Sequence, residues 1–95
     1  MPAYVIVDVN VTDPIRYEEY KKLSGPSLVP FDGRFVVRGG RVKVLEGKRT
    51  PGRVVVLEFP TREQAESWWS SETYRAAKAI RHAAASTEMI LVDGI

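Results

Sequence analysis

The sequence contains no cysteine, which excludes disulfide frameworks, thiolate catalysis and thiolate metal sites. It contains one histidine, His82, and a lone histidine with no neighbouring acid cannot form a metal site of known spacing. No apolar run is long enough to span a membrane. The start, MPAYVIVDVNV, is not typical of a signal peptide because Asp8 and Asn10 interrupt its apolar residues. We therefore expect a cytoplasmic protein with no membrane partner, no metal and no cofactor.

An excess of charge of one sign is also lacking. Fourteen Lys and Arg residues stand against twelve Asp and Glu, which gives a net charge of +2 with the signs interspersed. This balance is too weak for a nucleic-acid-binding surface, so no nucleic-acid partner is expected. The 95 residues are 27% charged and 44% hydrophobic, an ordinary globular composition, and we expect one domain over residues 1–95.

The first third of the chain predicts a strand followed by a helix. Residues 3–11 alternate strictly between two faces, which is typical of a half-buried strand. Thr12-Asp13-Pro14 then supplies an N-cap and a proline at the first helical position. The helix is expected to run to about Leu23, because Gly25-Pro26 should interrupt it, and Asp32-Gly33 should close a short second piece.

The remaining elements follow in the order strand, strand, helix, strand. Residues 34–46 look extended, with a bulge expected at Gly39-Gly40, and residues 53–59 form a β-branched strand. Thr61 to Gln64 is a capping box, and Ser70-Ser71-Glu72 caps an alanine-rich helix to about residue 85, before a last strand over 87–92. The order β-α-β-β-α-β predicts an α+β, ferredoxin-like antiparallel sheet with the helices on one face.

The two helices can cover only one of the two faces of this sheet. One face collects residues that the helices must cover: Val5, Val7, Val9, Phe35, Val37, Val55, Leu57 and Phe59. The other collects Tyr4, Ile6, Asp8, Val36, Arg38, Val54, Val56 and Glu58, with either Ile90 and Val92 or Met89 and Leu91. Such a patch exceeds what monomers usually expose, so we expect a homodimer packed on it. The alternative is a monomer in which long arginine side chains screen the patch.

Several short motifs along nearly the whole chain together resemble the domain-of-unknown-function 1330 family. They are Asp13 with Tyr17 and Tyr20, Arg38-Gly39-Gly40, Leu45-Glu46-Gly47, Glu58-Phe59-Pro60, Trp68, Ser71 with Tyr74, and Arg81. The resemblance implies the dimeric α+β-barrel superfamily, in which two ferredoxin-like sheets close into one barrel. It implies no activity, since relatives range from cofactor-independent monooxygenases and isomerases to dehalogenating and ligand-binding proteins. The chain departs from the family pattern at Asp32, where glycine is commoner, and at Trp69, where tyrosine is common.

The last helix carries the most informative candidate for a site. Tyr74 and Arg81 are seven residues apart, on a stripe bordering an apolar arc formed by Ala76, Ile80, Ala83 and Ala84. An arginine there suits a carboxylate, enolate or phosphate in a cleft between helix and sheet. Alternatively, its stem covers apolar surface while the guanidinium reaches water.

Further candidates come from the aromatic residues and from one acid. Tyr17 and Tyr20, with Leu23, are expected on the inward side of the first helix. Trp68 and Trp69 flank Ala65, so at least one belongs to the core and the other is free to line a pocket. Glu58 should pair with Arg41, or with Arg38 if the bulge shifts the register, either as a proton-moving group or as a cross-strand ion pair. The candidate ligand-binding residues are Tyr17, Tyr20, Arg38, Glu58, Trp69, Tyr74 and Arg81.

Two functions are compatible with these residues. The first is a small-molecule-binding protein, or a cofactor-independent enzyme, acting on a small anionic or oxygen-rich organic compound. The second is a non-catalytic homodimeric ligand-sensing or scaffold module in which the same residues only pack. The convergence of polar aromatics and an arginine favours the first function.

Overall fold

The computed structural model describes all 95 residues and confirms the ferredoxin-like α+β fold. The strands are β1 (Ala3–Val11), β2 (Arg34–Arg38), β3 (Arg53–Phe59) and β4 (Ala85–Asp93). The helices are α1 (Pro14–Leu28), α2 (Arg62–Trp69) and α3 (Glu72–Ala84), with a short 3-10 turn at Val29–Phe31. The sheet is antiparallel with strand order β2-β3-β1-β4. None of the helices has the length and apolarity to cross a bilayer.

The helices cover one face of the sheet and form the core with it. The buried positions alternate along β1 and β3, and the core adds aromatic residues from α1, α2 and α3. Ile6 lies opposite Ile90, and Tyr4 lies opposite Val92. Ile90 and Val92 therefore lie on the face away from the helices, which we call the outer face, while Met89 and Leu91 pack against the core.

Helix α1 continues through Gly25 and Pro26, so the predicted interruption is wrong. A proline at position 26 removes the N–H that would bond to the carbonyl of Lys22. Lys22 and Pro26 both lie on the exposed side of the helix. Ser27 and Leu28 are buried, and this packing holds the last turn. The same continuation places Ser24 inward with Tyr17 and Tyr20, whereas Leu23, which was expected there, is exposed.

The bulge in β2 lies at Val36 and not at Gly39-Gly40. Phe35 pairs with Leu57, but Val37 pairs with Val56, so one residue of β2 is extra. A one-residue shift exchanges the two faces of a strand. Val37 therefore lies toward the outer face, and Arg38 lies on the helix side, opposite to the predicted placement of both.

Thr61 is the N-cap of α2, as its position before the helix predicts. The Thr61 hydroxyl accepts a hydrogen bond from the backbone N–H of Gln64 at 3.1 Å. The Gln64 side chain does not return to the Thr61 backbone, as it would in a capping box. Its Nε2 instead donates to the Phe31 carbonyl and to the Asp32 carboxylate, both at 3.3 Å.

We expect Thr61→Ala to lower the free energy of unfolding by about 1 kcal/mol, the usual effect of losing an N-cap side chain. Urea titration followed by circular dichroism measures the change. Thr73→Ala, in the exposed first turn of α3, is the matched control and should change stability by less than about 0.5 kcal/mol. Equal losses in the two variants would contradict the capping role.

Candidate functional site

The buried stripe of α3 consists of Tyr74, Ala77, Arg81 and Ala84. The predicted apolar arc is therefore rotated, because Ala76 and Ala83 are exposed. This stripe faces α1, and its alanines allow the two helices to pack closely. The tyrosine and the arginine are thus part of the helix interface itself.

A line of hydrogen bonds connects α1 to α3 through this stripe. Arg81 Nε donates to Tyr74 Oη at 3.2 Å, and the hydroxyls of Tyr74 and Tyr20 share a hydrogen bond of 2.7 Å. Burial raises the pKa of Tyr20, and the neighbouring Tyr74 raises it further. The Tyr20 hydroxyl stays protonated at neutral pH and acts as a hydrogen-bonding group, not as a base.

The guanidinium of Arg81 has no carboxylate partner within salt-bridge distance, although the residue is only 5% exposed. Besides Tyr74, it meets His82, whose Nε2 lies 3.5 Å from Arg81 Nη2. Arg81 stands in the last turn of α3, where the helix dipole favours a cation. The dipole offsets part of the cost of burial, and the guanidinium still lacks an anionic partner.

The two tryptophans divide as expected between core and surface. Trp68 is 1% exposed, with its ring centroid 4.1 Å from that of Tyr74, and its Nε1 donates to Ser27 Oγ at 3.0 Å. Trp69 is 47% exposed, and Lys78 Nζ lies 3.8 Å from its ring centroid. Trp69 is therefore the tryptophan that is free to contact a ligand.

An open cleft lies between α2, α3 and the edge strand β4, and we call it the Arg81 cleft. Its volume is about 420 Å³, within the range of small-molecule sites. The lining residues are Val5, Ala65, Glu66, Trp69, Arg81, His82, Thr87, Met89, Ile90 and Leu91. The Thr87 hydroxyl is buried without a hydrogen-bond partner. An unpaired buried hydroxyl costs about 1–3 kcal/mol, so a bound polar group would be favoured there.

Two residues of this cleft were missed in the sequence. Thr87 belongs to no sequence motif. Only its two-residue spacing from Met89 and Leu91 could have placed it on the helix side of β4. His82 is exposed, in agreement with its predicted place on the polar side, yet it also lines the cleft. No group of three or more His, Asp or Glu side chains is placed to hold a metal ion.

Glu58 lies on the outer face of the sheet, away from the Arg81 cleft. Arg34 Nε donates to its Oε1 at 2.6 Å, and Tyr4 Oη donates to its Oε2 at 3.0 Å. The expected pairing with Arg41 or Arg38 is wrong, because the register places Arg34 opposite Glu58. Hydrogen bonds from Arg34 and then from Tyr4 lower the pKa of Glu58, so the carboxylate is half of a cross-strand ion pair.

The other predicted residues separate into two groups. Tyr20 and Tyr74 lie behind the Arg81 cleft and connect to it through Arg81. Tyr17 and Arg38 line a different cavity, between α1 and the ends of β2 and β3. Trp69 and Arg81 therefore line the Arg81 cleft, with Tyr74 and Tyr20 behind it. Tyr17 and Arg38 lie in the other cavity, which Tyr20 also lines, and Glu58 lies outside both.

Comparison with known proteins gives a family match over nearly the whole chain. The model described as "Domain of unknown function (DUF1330)" matches residues 2–95. No curated protein matches the sequence significantly.

Solved structures share the fold at low sequence identity. A protein of unknown function from Rhodopseudomonas palustris superposes with a TM-score of 0.79 at 21% identity, covering 99% of this chain and 82% of that one. A dimeric ferredoxin-like protein of unknown function from Jannaschia sp. gives 0.69 at 12% identity, covering 99% and 100%. SnoaB, a cofactor-independent oxygenase from Streptomyces nogalater, gives 0.64 at 11%, covering 99% and 93%. Identities this low establish a common fold and nothing finer.

Proposed function

The chain belongs to the DUF1330 family of domains of unknown function, and on this premise we propose that it is a homodimer that binds a small anionic or oxygen-rich organic compound in the Arg81 cleft. The observation that carries the proposal is the presence of two buried polar side chains in the wall of one cleft, each lacking a particular kind of partner. A buried guanidinium without a carboxylate and a buried hydroxyl without a partner both line this cleft. An anionic ligand oxygen in the cleft would give the Arg81 guanidinium a counter-charge.

The chemistry of the cleft sets the class of ligand. Arg81 supplies planar N–H donors that match a carboxylate or an enolate, and Thr87 supplies a hydroxyl. Apolar side chains, among them Ala65, Met89 and Leu91, form most of the remaining wall. This combination favours a compound with one anionic or carbonyl-rich end and a small hydrocarbon body.

Catalysis without a cofactor is the finer form of this proposal. SnoaB, which shares the fold, is described as a cofactor-independent oxygenase. In the Arg81 cleft, His82 is the candidate to accept a proton from a bound compound, and Arg81 would stabilise the oxyanion that remains on that compound. Glu58 is on the other face and Tyr20 remains protonated, so we assign neither of them this step.

The homodimer is supported by the outer face of the sheet. Ile6, Val36, Ile90 and Val92 are large apolar residues that remain exposed there, Ile90 by 60%. The Jannaschia protein, described as dimeric, has the same fold. A second copy packed face to face would remove these side chains from water, which is the favourable term in most associations.

We expect Arg81→Met to stay folded and dimeric while losing ligand binding. Methionine keeps most of the packing of the arginine stem and removes the charge. Ligand-observed NMR with a set of small carboxylates and enolisable ketones identifies binders to the native protein. For those binders the variant should bind at least about tenfold more weakly, since hydrogen bonds to a charged group are among the stronger ones.

Arg75→Met is the matched control, because Arg75 is an exposed arginine of the same helix that pairs with Glu72. It changes the net charge equally and should keep every binder. If Arg81→Met retains all binders, or if Arg75→Met loses the same ones, the Arg81 cleft is not the binding site. The homodimeric scaffold function would then replace the proposal.

A further inference from the structure

A second cavity lies under α1, at the ends of β2 and β3, and we call it the Tyr17 cavity. Its lining contains three cations and no carboxylate. The lining residues are Val7, Val9, Tyr17, Tyr20, Lys21, Ser24, Leu28, Phe35, Arg38, Arg53, Val55, Leu57, Trp68 and Met89. Lys21 pairs with Glu18, but Arg38 and Arg53 have no carboxylate within salt-bridge distance, and their charges repel each other unless an anion joins them. This cavity therefore has the electrostatics of an anion site.

The Arg53 guanidinium lies in a space that the backbone at Gly39 leaves open. Its Nε is buried and has no hydrogen-bond partner, and its guanidinium carbon lies 5.9 Å from the centroid of the Tyr17 ring. The guanidinium occupies space beside Gly39 that any Cβ at that position would take. Gly39 also has φ +70°, which an L side chain rarely adopts. The turn after β2 is thus built around the Arg53 guanidinium.

Arg38 and Lys21 complete the cluster from the neighbouring elements. The Arg38 guanidinium stacks on the Phe35 ring with 4.0 Å between its carbon and the ring centroid, and its Nη2 donates to the Lys21 carbonyl at 3.4 Å. Lys21 pairs with Glu18 at 2.9 Å, whereas neither Arg38 nor Arg53 has a carboxylate within salt-bridge distance. Two guanidinium groups oriented on aromatic rings are therefore left without a counter-charge.

We propose that Arg38, Arg53 and Lys21 bind the phosphate group of a small organic monophosphate at the mouth of the Tyr17 cavity. A phosphate monoester carries close to two negative charges, which match two unpaired guanidinium groups, and its oxygens suit their fork-shaped donors. The interior of the cavity has a volume of about 20 Å³, room for about one water molecule. The phosphate therefore lies at the mouth, and the organic part of the ligand lies outside the core. This site does not rest on the proposed function of the Arg81 cleft.

Titration of the native protein with phenyl phosphate, followed by calorimetry, tests the site. Arg38→Met and Arg53→Met should each weaken binding at least about tenfold, because each removes charge-assisted hydrogen bonds to the phosphate. Arg38 is exposed, so its variant remains informative if Arg53→Met fails to fold. Inorganic phosphate should bind more weakly than phenyl phosphate, and benzoate, with a single charge, should bind more weakly still.

Two further variants distinguish binding at this site from nonspecific electrostatic attraction and from binding in the Arg81 cleft. Arg41→Met removes the same charge from an exposed position three residues beyond Arg38 and should bind phenyl phosphate like the native protein. Arg81→Met should also bind it normally, whatever its effect on carboxylate binders. The proposal would be overturned if the native protein did not bind phenyl phosphate, or if Arg41→Met weakened this binding as much as Arg38→Met. Tighter binding of benzoate or inorganic phosphate than of phenyl phosphate would also overturn it.

Discussion

Replacing Trp68 with alanine is expected to lower the free energy of unfolding by about 3–5 kcal/mol. The side chain is 1% exposed and lies between the rings of Phe59, at 5.5 Å, and Tyr74, at 4.1 Å. Its removal leaves a cavity between α2 and the sheet and deprives the buried Ser27 hydroxyl of its donor. A domain of this size is stabilised by about 5–15 kcal/mol in total, so the variant should lose much of its stability.

Trp69, the neighbouring residue, provides a control with the same side chain. Trp69→Ala removes an equally large ring that is 47% exposed, and we expect it to cost less than about 1 kcal/mol. Urea titration of both variants, followed by circular dichroism, gives the two free energies. A loss from Trp69→Ala as large as that from Trp68→Ala would contradict the assignment of the core.

Ile90→Asp is expected to convert the proposed homodimer to a monomer. Ile90 lies on the outer face in the edge strand β4, opposite Ile6 of β1, within the surface proposed to pack against a second copy. A carboxylate at this position would lose its hydration without gaining a partner when a second copy packs against it, which is costly. Light scattering should give about twice the 10.7 kDa chain mass for the native protein and about once that mass for the variant.

Ile15→Asp makes the same substitution at an exposed position of α1, on the helix side of the molecule. It should remain a dimer, which separates the effect of the outer face from the effect of added charge. A monomeric native protein would refute the proposed homodimer. A dimeric Ile90→Asp variant would place the interface elsewhere.

The elements of the fold were predictable where local chemistry and tertiary packing agree. The alternation over β1 identified a strand with one buried face, and Thr61 and Ser71 marked the starts of α2 and α3 because both act as N-caps. Prediction was wrong at Pro26, where burial of Leu28 overrides a residue that is unfavourable in helices. The bulge at Val36 carried no glycine, so nothing in the sequence located it.

The candidate site was predictable only in part, because contacts within one helix follow from local spacing but contacts between elements do not. The seven-residue spacing of Tyr74 and Arg81 placed both on one helix face, and their hydrogen bond agrees with that spacing. Contacts between strands depend on register, which one displaced residue alters. Glu58 pairs with Arg34 because β2 ends at Arg38 and a long loop precedes β3, and the bulge at Val36 places Arg38 on the helix side. Thr87 could not be singled out because what distinguishes it is a missing hydrogen-bond partner.

The hydrogen bonds that connect Arg81, Tyr74 and Tyr20 leave one hydroxyl hydrogen without an acceptor among these three side chains. The two hydroxyls carry two hydrogens, they share a single bond, and Arg81 donates to Tyr74. When Tyr74 donates to Tyr20, the spare hydrogen belongs to Tyr20, which borders the Tyr17 cavity. When Tyr20 donates to Tyr74, the spare hydrogen belongs to Tyr74, beside Arg81. The direction of one hydrogen bond thus decides which side of the α1–α3 interface has an additional donor, and only one side has it at a time.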